Sequence, residues 1–323
     1  MPDLLTAAEH PDLFARWRDG DGLFAVNGTV RYGAFARHYY PVVFEGRRQD
    51  ASFAVVEGDK PRLLAAATVG DGCLDYYGSP LRLFLAEPGD GSAIAAAFAH
   101  LDQVMEAQGL RQATIADDTP SGRLSAIGEA CLNRHFHPAL RMSAWADLSE
   151  GEVSLRRGLR KSYKSLLNWG KANMTVSVVD RDNPDRAQFD RFLAFHQTVA
   201  GRATRAQGIW DSLFAWIEAG RGELVLGMVG DELVAGTVVC DAEGSAYYVS
   251  GVYDRERFDK PMAHWPLWAA MLRAHERGLT RFELGDIPID GDATPKEVAI
   301  GFFKRGFASE IATSLVWSRT APQ

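Results

Sequence analysis

The residues with the clearest chemical potential lie in the last third of the chain. Asp286 follows a predicted strand and His264 precedes a predicted helix, so either residue could act as a general base. A turn acid and a local helix cap are the alternative interpretations. No Ser-His-Asp or Cys-His arrangement has a spacing that indicates a covalent nucleophile. The three cysteines lie far apart and have no metal-site spacing, so we predict no metal site.

Basic residues near predicted helix ends are candidate ligands for anionic groups. Arg202 and Arg205 follow a helix with few acids nearby, which suits a clamp on a diphosphate or a carboxylate. Lys304 and Arg305 lie between aromatic residues in a predicted glycine-bounded loop, where they could meet the phosphates of a donor. The alternatives are arginines that interact with the helix dipole and ordinary solvated bases.

A further basic cluster lies near the middle of the chain. Residues 149–172 are predicted as one helix, which begins with a capping box at Ser149–Glu152 and a staple between Leu148 and Val153. When this helix is projected at about 100° per residue, its bases fall together without an acid. We call these bases the basic arc: Arg156, Arg157, Arg160, Lys161, Lys164 and Lys171. In a protein of net charge −7 this asymmetry predicts a rail for phosphates, with a solvated face as the alternative.

A strand–helix–strand unit is predicted to position the candidate residues. Residues 233–240 and 246–252 read as two strands, a helix follows from about Pro266 to Gly278, and residues 280–284 form a third strand. A crossover that contains a helix favours parallel placement of the third strand beside the second.

On the third strand, side chains alternate between the two faces. Phe282 and Leu284 share one face, and Glu283 points the other way. The Glu283 side chain therefore faces either a substrate cleft beside this strand or the solvent, and solvent is the favoured interpretation.

The chain contains a long internal repeat. Residues 108–117 match residues 277–286, and a Tyr-Tyr pair precedes each segment, Tyr76-Tyr77 and Tyr247-Tyr248. At 323 residues the chain suits two domains, so we predict a duplication, with a chance match as the alternative. The predicted class is α/β (α+β), with mixed central sheets flanked by helices. The predicted parts are residues 1–148, a linking basic helix 149–172, and residues 173–323.

Composition excludes several broad classes. A hydrophobic content of 46% and a charged content of 24% are typical of a soluble globular protein. The first residues carry no secretion signal, and no apolar run reaches the length of a membrane span. The odd number of cysteines fits a reducing compartment, so we expect a cytoplasmic protein.

The order and spacing of several short motifs resemble the FemABX transferases, which are built from two domains of the GNAT acyltransferase fold. The resemblance covers residues 150–315. It rests on Leu159–Lys164, Thr198-Val199-Ala200-Gly201-Arg202, Leu233-Val234-Ala235-Gly236, Tyr247-Tyr248-Val249-Ser250-Gly251, Phe282-Glu283-Leu284-Gly285-Asp286 and Phe303-Lys304-Arg305-Gly306-Phe307. GNAT-fold acyltransferases of polysaccharide and cell-envelope pathways share most of these marks.

This resemblance implies that an acyl or aminoacyl group moves onto an amine by direct attack in the cleft of the second domain. A backbone N–H group would hold the carbonyl near Ser250 and Leu284, where the two central strands splay. Arg202 would bind substrate phosphate. Candidate substrate ligands are Arg202, Arg205, Tyr248, Ser250, Glu283, Lys304 and Arg305, with Asp286 and His264 as candidate bases. The acceptor would be a small-molecule, lipid-linked or nucleotide-linked amine of cell-envelope type, such as a peptidoglycan precursor.

The segment 254–264 departs from the acyl-CoA pattern. Enzymes that use CoA place a glycine-rich loop here, and its N–H groups cradle the pyrophosphate. This segment has no glycine, carries three acids, and contains Pro261. We therefore predict no tightly bound cofactor and favour aminoacyl-tRNA as the donor, with the basic arc as its rail. An acyl-CoA N-acyltransferase with an atypical CoA site and a non-catalytic binding module remain alternatives.

Overall fold

The computed structural model describes residues 3–19, 30–118, 123–242, 244–257, 260–289, 291 and 293–320. The chain divides into two compact units. The first unit comprises Met1–Arg141 and Thr313–Gln323, and the second comprises Met142–Ala312. The predicted linking region, residues 149–172, thus lies inside the second unit, and the end of the chain belongs to the first.

The first unit is built on a mixed sheet with the strand order β1-β3-β4-β7-β8-β15. Its strands are β1 (Asp3–Thr6), β2 (Gln49–Asp50), β3 (Phe53–Glu57), β4 (Lys60–Ala66), β5 (Thr68–Gly70), β6 (Cys73–Asp75), β7 (Leu81–Leu85), β8 (Gln112–Asp118) and the end of β15 (Glu310–Thr320). Its helices include α1 (Pro11–Asp19), α2 (Ala34–Val43), α3 (Gly91–Ala107) and α4 (Ala126–Leu132).

The second unit has the strand order β9-β14-β13-β12-β11-β10. Its strands are the end of β9 (His137–Asp147), β10 (Thr175–Val179), β11 (Gly222–Val229), β12 (Glu232–Ala242), β13 (Ser245–Tyr253) and β14 (Arg281–Ile287). Its helices include α5 (Gly151–Gly158), α6 (Lys161–Asn173), α7 (Arg186–Ala200), α8 (Gln207–Glu218), α9 (His264–Glu276) and α10 (Pro295–Phe307). Helices α5, α6, α9 and α10 supply buried side chains to one core, together with Phe282 and Leu284 of β14.

The two units repeat one order of elements, which confirms the predicted pair of similar α/β domains. In each unit a hairpin leads to a strand, a crossover helix and a parallel strand: β7-α3-β8 in the first and β13-α9-β14 in the second. Both crossover helices end at a glycine with positive φ, 58° at Gly109 and 82° at Gly278. The predicted match of the two Tyr-Tyr pairs is wrong, because Tyr76 and Tyr77 lie between β6 and β7 and not on the strand before α3.

The predicted single helix over residues 149–172 is also wrong. Leu159 and Arg160 are extended, with ψ of 147° and 135°, and they separate α5 from α6. The Leu159 side chain is buried in the core, and the Arg160 N–H donates to the carbonyl of Gly306. Core burial and this bond compensate for the lost helical bonds. The predicted capping box and staple do not form either, since no side chain caps α5 and Val153 is 74% exposed.

The predicted glycine-bounded loop around Lys304 and Arg305 is helical. Helix α10 begins at a capping box between Thr294 and Glu297, with Pro295 at its first position, and it continues to Phe307. The capping signal lies ten residues upstream of the two bases, so it extends a helix through them. Among the described residues, no helix is long and apolar enough to cross a membrane.

Candidate active site

Strands β13 and β14 part in the middle of the second unit. Their parallel pairing covers Ser245–Arg281, Ala246–Phe282 and Tyr247–Glu283 and stops there. Both strands continue, β13 to Tyr253 and β14 to Ile287. We call the gap between residues 248–253 and residues 284–287 the cleft. The predicted parallel placement and the predicted splay are both confirmed.

Two local irregularities explain why the strands separate. The register of β13 against β12 shifts between Val238 and Val239, which leaves Val249 as an extra residue. The register of β14 against β9 shifts between Glu283 and Gly285, and Gly285 has a φ of 86°, a conformation that strongly favours glycine. Bulges bend and twist the strand that carries them, so each strand turns away from the other. Backbone polar groups beyond Tyr247 are therefore not paired across the gap.

Two hydrogen-bond donors converge on the β14 side of the cleft. The Lys304 ammonium donates to the backbone carbonyl of Asp286 at 2.9 Å. A Cβ atom placed on Gly285 would lie 3.2 Å from Lys304 Nζ and 4.0 Å from Tyr247 Oη. Lys304 reaches this place because it lies on the last turns of α10, which packs beside β14. An ammonium and a phenol at one point can stabilise an oxyanion.

Glu283 lies on the cleft side of the sheet and is buried, with 2% of its surface exposed. The favoured prediction that it faces solvent is wrong. The reason is that Glu283 lies on an interior strand, between Tyr247 on β13 and Trp145 on β9. Its alternation relative to Phe282 was predicted correctly, but the sequence does not reveal that both faces of this strand are covered.

The two tyrosines of β13 point to opposite faces, and Tyr248 is the one predicted as a substrate ligand. Tyr248 packs against the core formed with α9, and burial of its hydroxyl raises its pKa. A Cβ atom on Gly251 would lie 1.7 Å from Tyr248 Oη, so the phenol fills the space beside this glycine. Tyr247 is the tyrosine that reaches Gly285, and only the register with β14 identifies it.

A second polar group lies on the same face as Tyr247, since their β12 partners Val238 and Cys240 are two residues apart. Ser250 Oγ lies 3.3 Å from His196 Nε2 and 3.4 Å from an Arg205 guanidinium nitrogen. The structure thus brings the predicted residues Arg205 and Ser250 together. His196 was missed because its position in α7 was assigned to the apolar face.

Arg202 lies apart from this group. It is exposed, after Gly201 ends α7 with a φ of 69°. It forms no hydrogen bond or ion pair with the described part of the chain. Asp286 and Arg305 are exposed as well, at the edge of β14 and on α10. The roles predicted for these three residues stay predictions.

His264 lies in an aromatic cluster. Its ring centroid is 4.6 Å from that of Tyr163, 5.2 Å from that of Phe303 and 5.8 Å from that of Phe307. The pKa of His264 is lowered to about 4, mainly by burial and also by the nearby Arg160 charge, although a backbone hydrogen bond with Pro261 raises it in part. Its role as a base stays a prediction, while its packing role is evident from these contacts.

This environment predicts an acid-dependent loss of stability. The folded pKa of His264 lies below the unfolded value of about 6.5, so its contribution is complete above pH 6.5 and is lost as the pH falls toward 4. That difference corresponds to about 3 kcal/mol. Urea unfolding of His264→Phe should show a flatter pH dependence between pH 4 and 6.5 than wild type. The exposed control His137→Gln should keep the wild-type slope, and an unchanged slope in His264→Phe would contradict the prediction.

The basic arc is divided between two helices. Arg156 donates to Asn168 at 2.5 Å, and Arg160 lies 3.6 Å above the Phe302 ring while it donates to the Phe302 carbonyl at 3.0 Å. Arg157 lines a separate cavity of about 450 Å³ with Asp147 and Glu310. The prediction that these bases share one continuous helix face is therefore wrong, because the break at Leu159 and Arg160 separates them into two helices with different directions. Phosphate binding by these residues stays a prediction.

Four N–H groups in the described part of the loop before α9 are engaged in hydrogen bonds within the loop. The N–H groups of Glu256, Lys260, Met262 and His264 are already bonded, to Asp254 Oδ1 and to the carbonyls of Arg257, Lys260 and Pro261. Pro266 in the first turn of α9 has no N–H group. Arg257 is paired with Asp254 and Glu232. Among the described residues no group of His, Cys, Asp and Glu side chains could hold a metal ion.

Comparison with known proteins agrees with this geometry. Residues 154–296 match the family model of the acetyltransferase (GNAT) domain. No curated protein matches the sequence. The structure is similar to that of FemX, with a TM-score of 0.70 and 13% identity over 97% of this chain and 96% of FemX. The predicted resemblance to FemABX-like proteins of the GNAT superfamily is thus confirmed, and the structural likeness shows the fold.

Two further solved structures share this fold. A tandem GNAT protein from the clavulanic acid biosynthesis pathway has a TM-score of 0.58 and 17% identity, with 100% of both chains covered. L-PGS from Bacillus licheniformis has a TM-score of 0.54 and 13% identity over 81% of this chain and 82% of its own. The chain therefore has the tandem GNAT fold, and its second unit contains the domain that the family model matches.

Proposed function

We propose that this protein transfers an acyl or aminoacyl group onto an amine in the cleft of its second unit. The observation that carries the proposal is the separation of β13 from β14, with Lys304 and Tyr247 directed at Gly285. Backbone N–H groups that β13 and β14 do not share with each other along the gap can donate to a carbonyl oxygen. Preorganised donors of this kind are the largest single contribution to catalysis of acyl transfer in many enzymes.

The chemistry follows from these positions. The amine attacks the carbonyl carbon directly, and the oxyanion that develops lies near the Lys304 ammonium and the Tyr247 hydroxyl. Collapse of the tetrahedral intermediate expels the alcohol or thiol of the donor. Effective catalysis requires binding and orientation of both substrates, because proximity replaces a covalent enzyme intermediate.

The donor that suits the site best is an aminoacyl ester carried by tRNA. The bonded N–H groups and the paired Arg257 in the loop before α9 argue against a CoA pyrophosphate. The structural likeness to FemX and to L-PGS supports the same choice. The acceptor would be a nucleotide-linked or lipid-linked amine of cell-envelope type, and Arg202 is the candidate for its phosphate.

Acyl-CoA is the second candidate donor. The match of residues 154–296 to an acetyltransferase domain favours it. Such a protein would have to bind CoA without the N–H cradle, through side chains instead. A ligand-binding module without turnover is the remaining alternative, since a fold does not fix a function.

A donor competition separates these possibilities. The purified chain is incubated with a panel of nucleotide-linked and lipid-linked amines of cell-envelope type, and with either total tRNA charged with labelled amino acids or labelled acetyl-CoA. We expect label on an amine from charged tRNA, with transfer abolished by RNase. Transfer from acetyl-CoA alone would reject tRNA as the donor. No transfer from either donor would reject the enzyme function and leave the binding module.

A further inference from the structure

A chain of hydrogen bonds runs inward from the cleft on the β13 side. It joins four residues: Arg205, Ser250, His196 and Thr204. Arg205 approaches Ser250 Oγ at 3.4 Å and the Val249 carbonyl at 3.3 Å. Ser250 Oγ lies 3.3 Å from His196 Nε2, and Thr204 Oγ1 lies 3.4 Å from His196 Nδ1. The four residues thus come from three elements: α7, β13 and the loop between α7 and α8.

An arginine can only donate, so Ser250 Oγ accepts from Arg205. In the neutral tautomer of His196 with its proton on Nδ1, Nε2 accepts from the Ser250 hydroxyl and Nδ1 donates to Thr204 Oγ1. This is the order of nucleophile, base and orienting group that proton-transfer sites use.

The surroundings keep the imidazole neutral. His196 and Ser250 are each 8% exposed, and Trp210 packs against the His196 ring at 5.3 Å. Burial lowers the pKa of His196, and the Arg205 charge lowers it further. Tyr247, Glu283 and Cys240 also lie on this face of the sheet. The Cys240 thiol stays protonated, because burial raises its pKa well above its usual value.

We propose that His196 receives the proton of the attacking amine, and that the Ser250 hydroxyl relays it. This inference rests on the proposed function. Ser250 would contact the amine, and His196 would act through Ser250, positioned by Thr204. The structural alternative is a buried histidine that only fixes α7 to β13.

The proton balance needs no further reactant. As the amine nitrogen bonds to the carbonyl carbon, its proton passes to Ser250 Oγ, and the Ser250 proton passes to His196 Nε2. When the intermediate collapses, the bond between the carbonyl carbon and the leaving oxygen or sulfur breaks. The proton then returns from His196 through Ser250 to the leaving group, and both side chains regain their starting state.

The test compares variants by pH profile and by nitrogen NMR of the histidines. His196→Gln and Ser250→Ala should each lower kcat by about 10²-fold, the typical contribution of general base catalysis. Both should also lose the rise of kcat/KM with pH that the titration of His196 produces in wild type. His100→Gln is the matched control, because His100 is a half-buried histidine of the first unit whose pKa burial also lowers. It should change neither the rate nor the profile.

NMR of uniformly 15N-labelled protein tests the hydrogen bonds without any substrate. We expect a neutral His196 with its proton on Nδ1 at pH 7, and a shifted Nε2 resonance in Ser250→Ala. A proton on His196 Nε2 would overturn the relay, and so would a His196→Gln enzyme with the wild-type rate and pH profile. In either case, transfer by the wild-type protein would still uphold the proposed function. Absence of transfer by wild type would overturn both.

Discussion

Lys304→Met is expected to lower kcat of the transfer reaction by about 10²-fold and to leave KM within about threefold, because removal of one oxyanion donor costs about this much. The ammonium lies beside Gly285 and is held there by the Asp286 carbonyl at 2.9 Å. Charge develops on the carbonyl oxygen mainly in the transition state, so the loss falls on kcat. Methionine retains the length of the side chain, and the variant should unfold at the wild-type temperature.

Lys296→Met is the matched control for this variant. Lys296 lies on the same helix, at its exposed beginning, far along the axis from the cleft. The charge change is the same, so a general electrostatic effect on tRNA would appear in both variants. We expect the control to keep its kcat. A Lys304→Met enzyme with wild-type kcat would exclude the ammonium from the reaction.

Glu223→Ala is expected to lower the free energy of unfolding by about 3–5 kcal/mol, the typical effect of removing one partner of a buried ion pair. Glu223 is fully buried on β11 and binds Arg273 at 2.6 Å and Arg277 at 2.8 Å. These arginines also bind Asp180 and Asp241, both at 2.7 Å. Without Glu223, two guanidinium groups lose their shared buried carboxylate.

Glu232→Ala provides the comparison, because it deletes an exposed carboxylate that pairs with Arg257. Exposed pairs contribute about 0–1 kcal/mol, so this variant should unfold close to wild type. Both variants are measured by urea titration with far-UV circular dichroism. Equal losses in the two variants would contradict the distinction between buried and exposed pairs. A Glu223→Ala protein that fails to fold at all would agree with the larger loss.

The first unit differs from the second at the position equivalent to the cleft. Aligning Gly109 with Gly278 places Asp117 opposite Asp286. Asp117 is buried, accepts from Ser125 at 2.7 Å, and lies 3.4 Å from the indole nitrogen of Trp317. Burial raises its pKa. Strand β15 lies beside β8 on the side away from β7, as β9 lies beside β14 on the side away from β13. The two units therefore differ in this aspartate, which is buried in the first and exposed in the second, and we assign the chemistry to the second unit for that reason.

Local signals in the sequence were enough to predict the order of helices and strands around the candidate site. Hydrophobic periodicity and the glycine at position 278 gave the crossover helix and the strand after it, because helix and strand periods differ and glycine suits the left-handed helix end. The resemblance of ordered motifs identified the GNAT fold, and the missing glycines before α9 indicated an altered cradle. Arg205 and Lys304 were chosen as candidate site residues from their positions, and Ser250 was chosen from the resemblance.

Contacts between distant residues decided the rest. Whether Tyr247 or Tyr248 faces the cleft depends on the register with β14, and a shift of one residue would reverse it. The break at Leu159 is accompanied by a hydrogen bond from the Arg160 N–H to the carbonyl of Gly306, nearly 150 residues away. No local pattern in the sequence predicts this bond. His196 appeared apolar because its helix face is otherwise hydrophobic. The Ser250 hydroxyl lies beside His196 only because β13 packs against α7. Periodicity in a sequence is local, whereas a site is formed by residues that are distant in the chain.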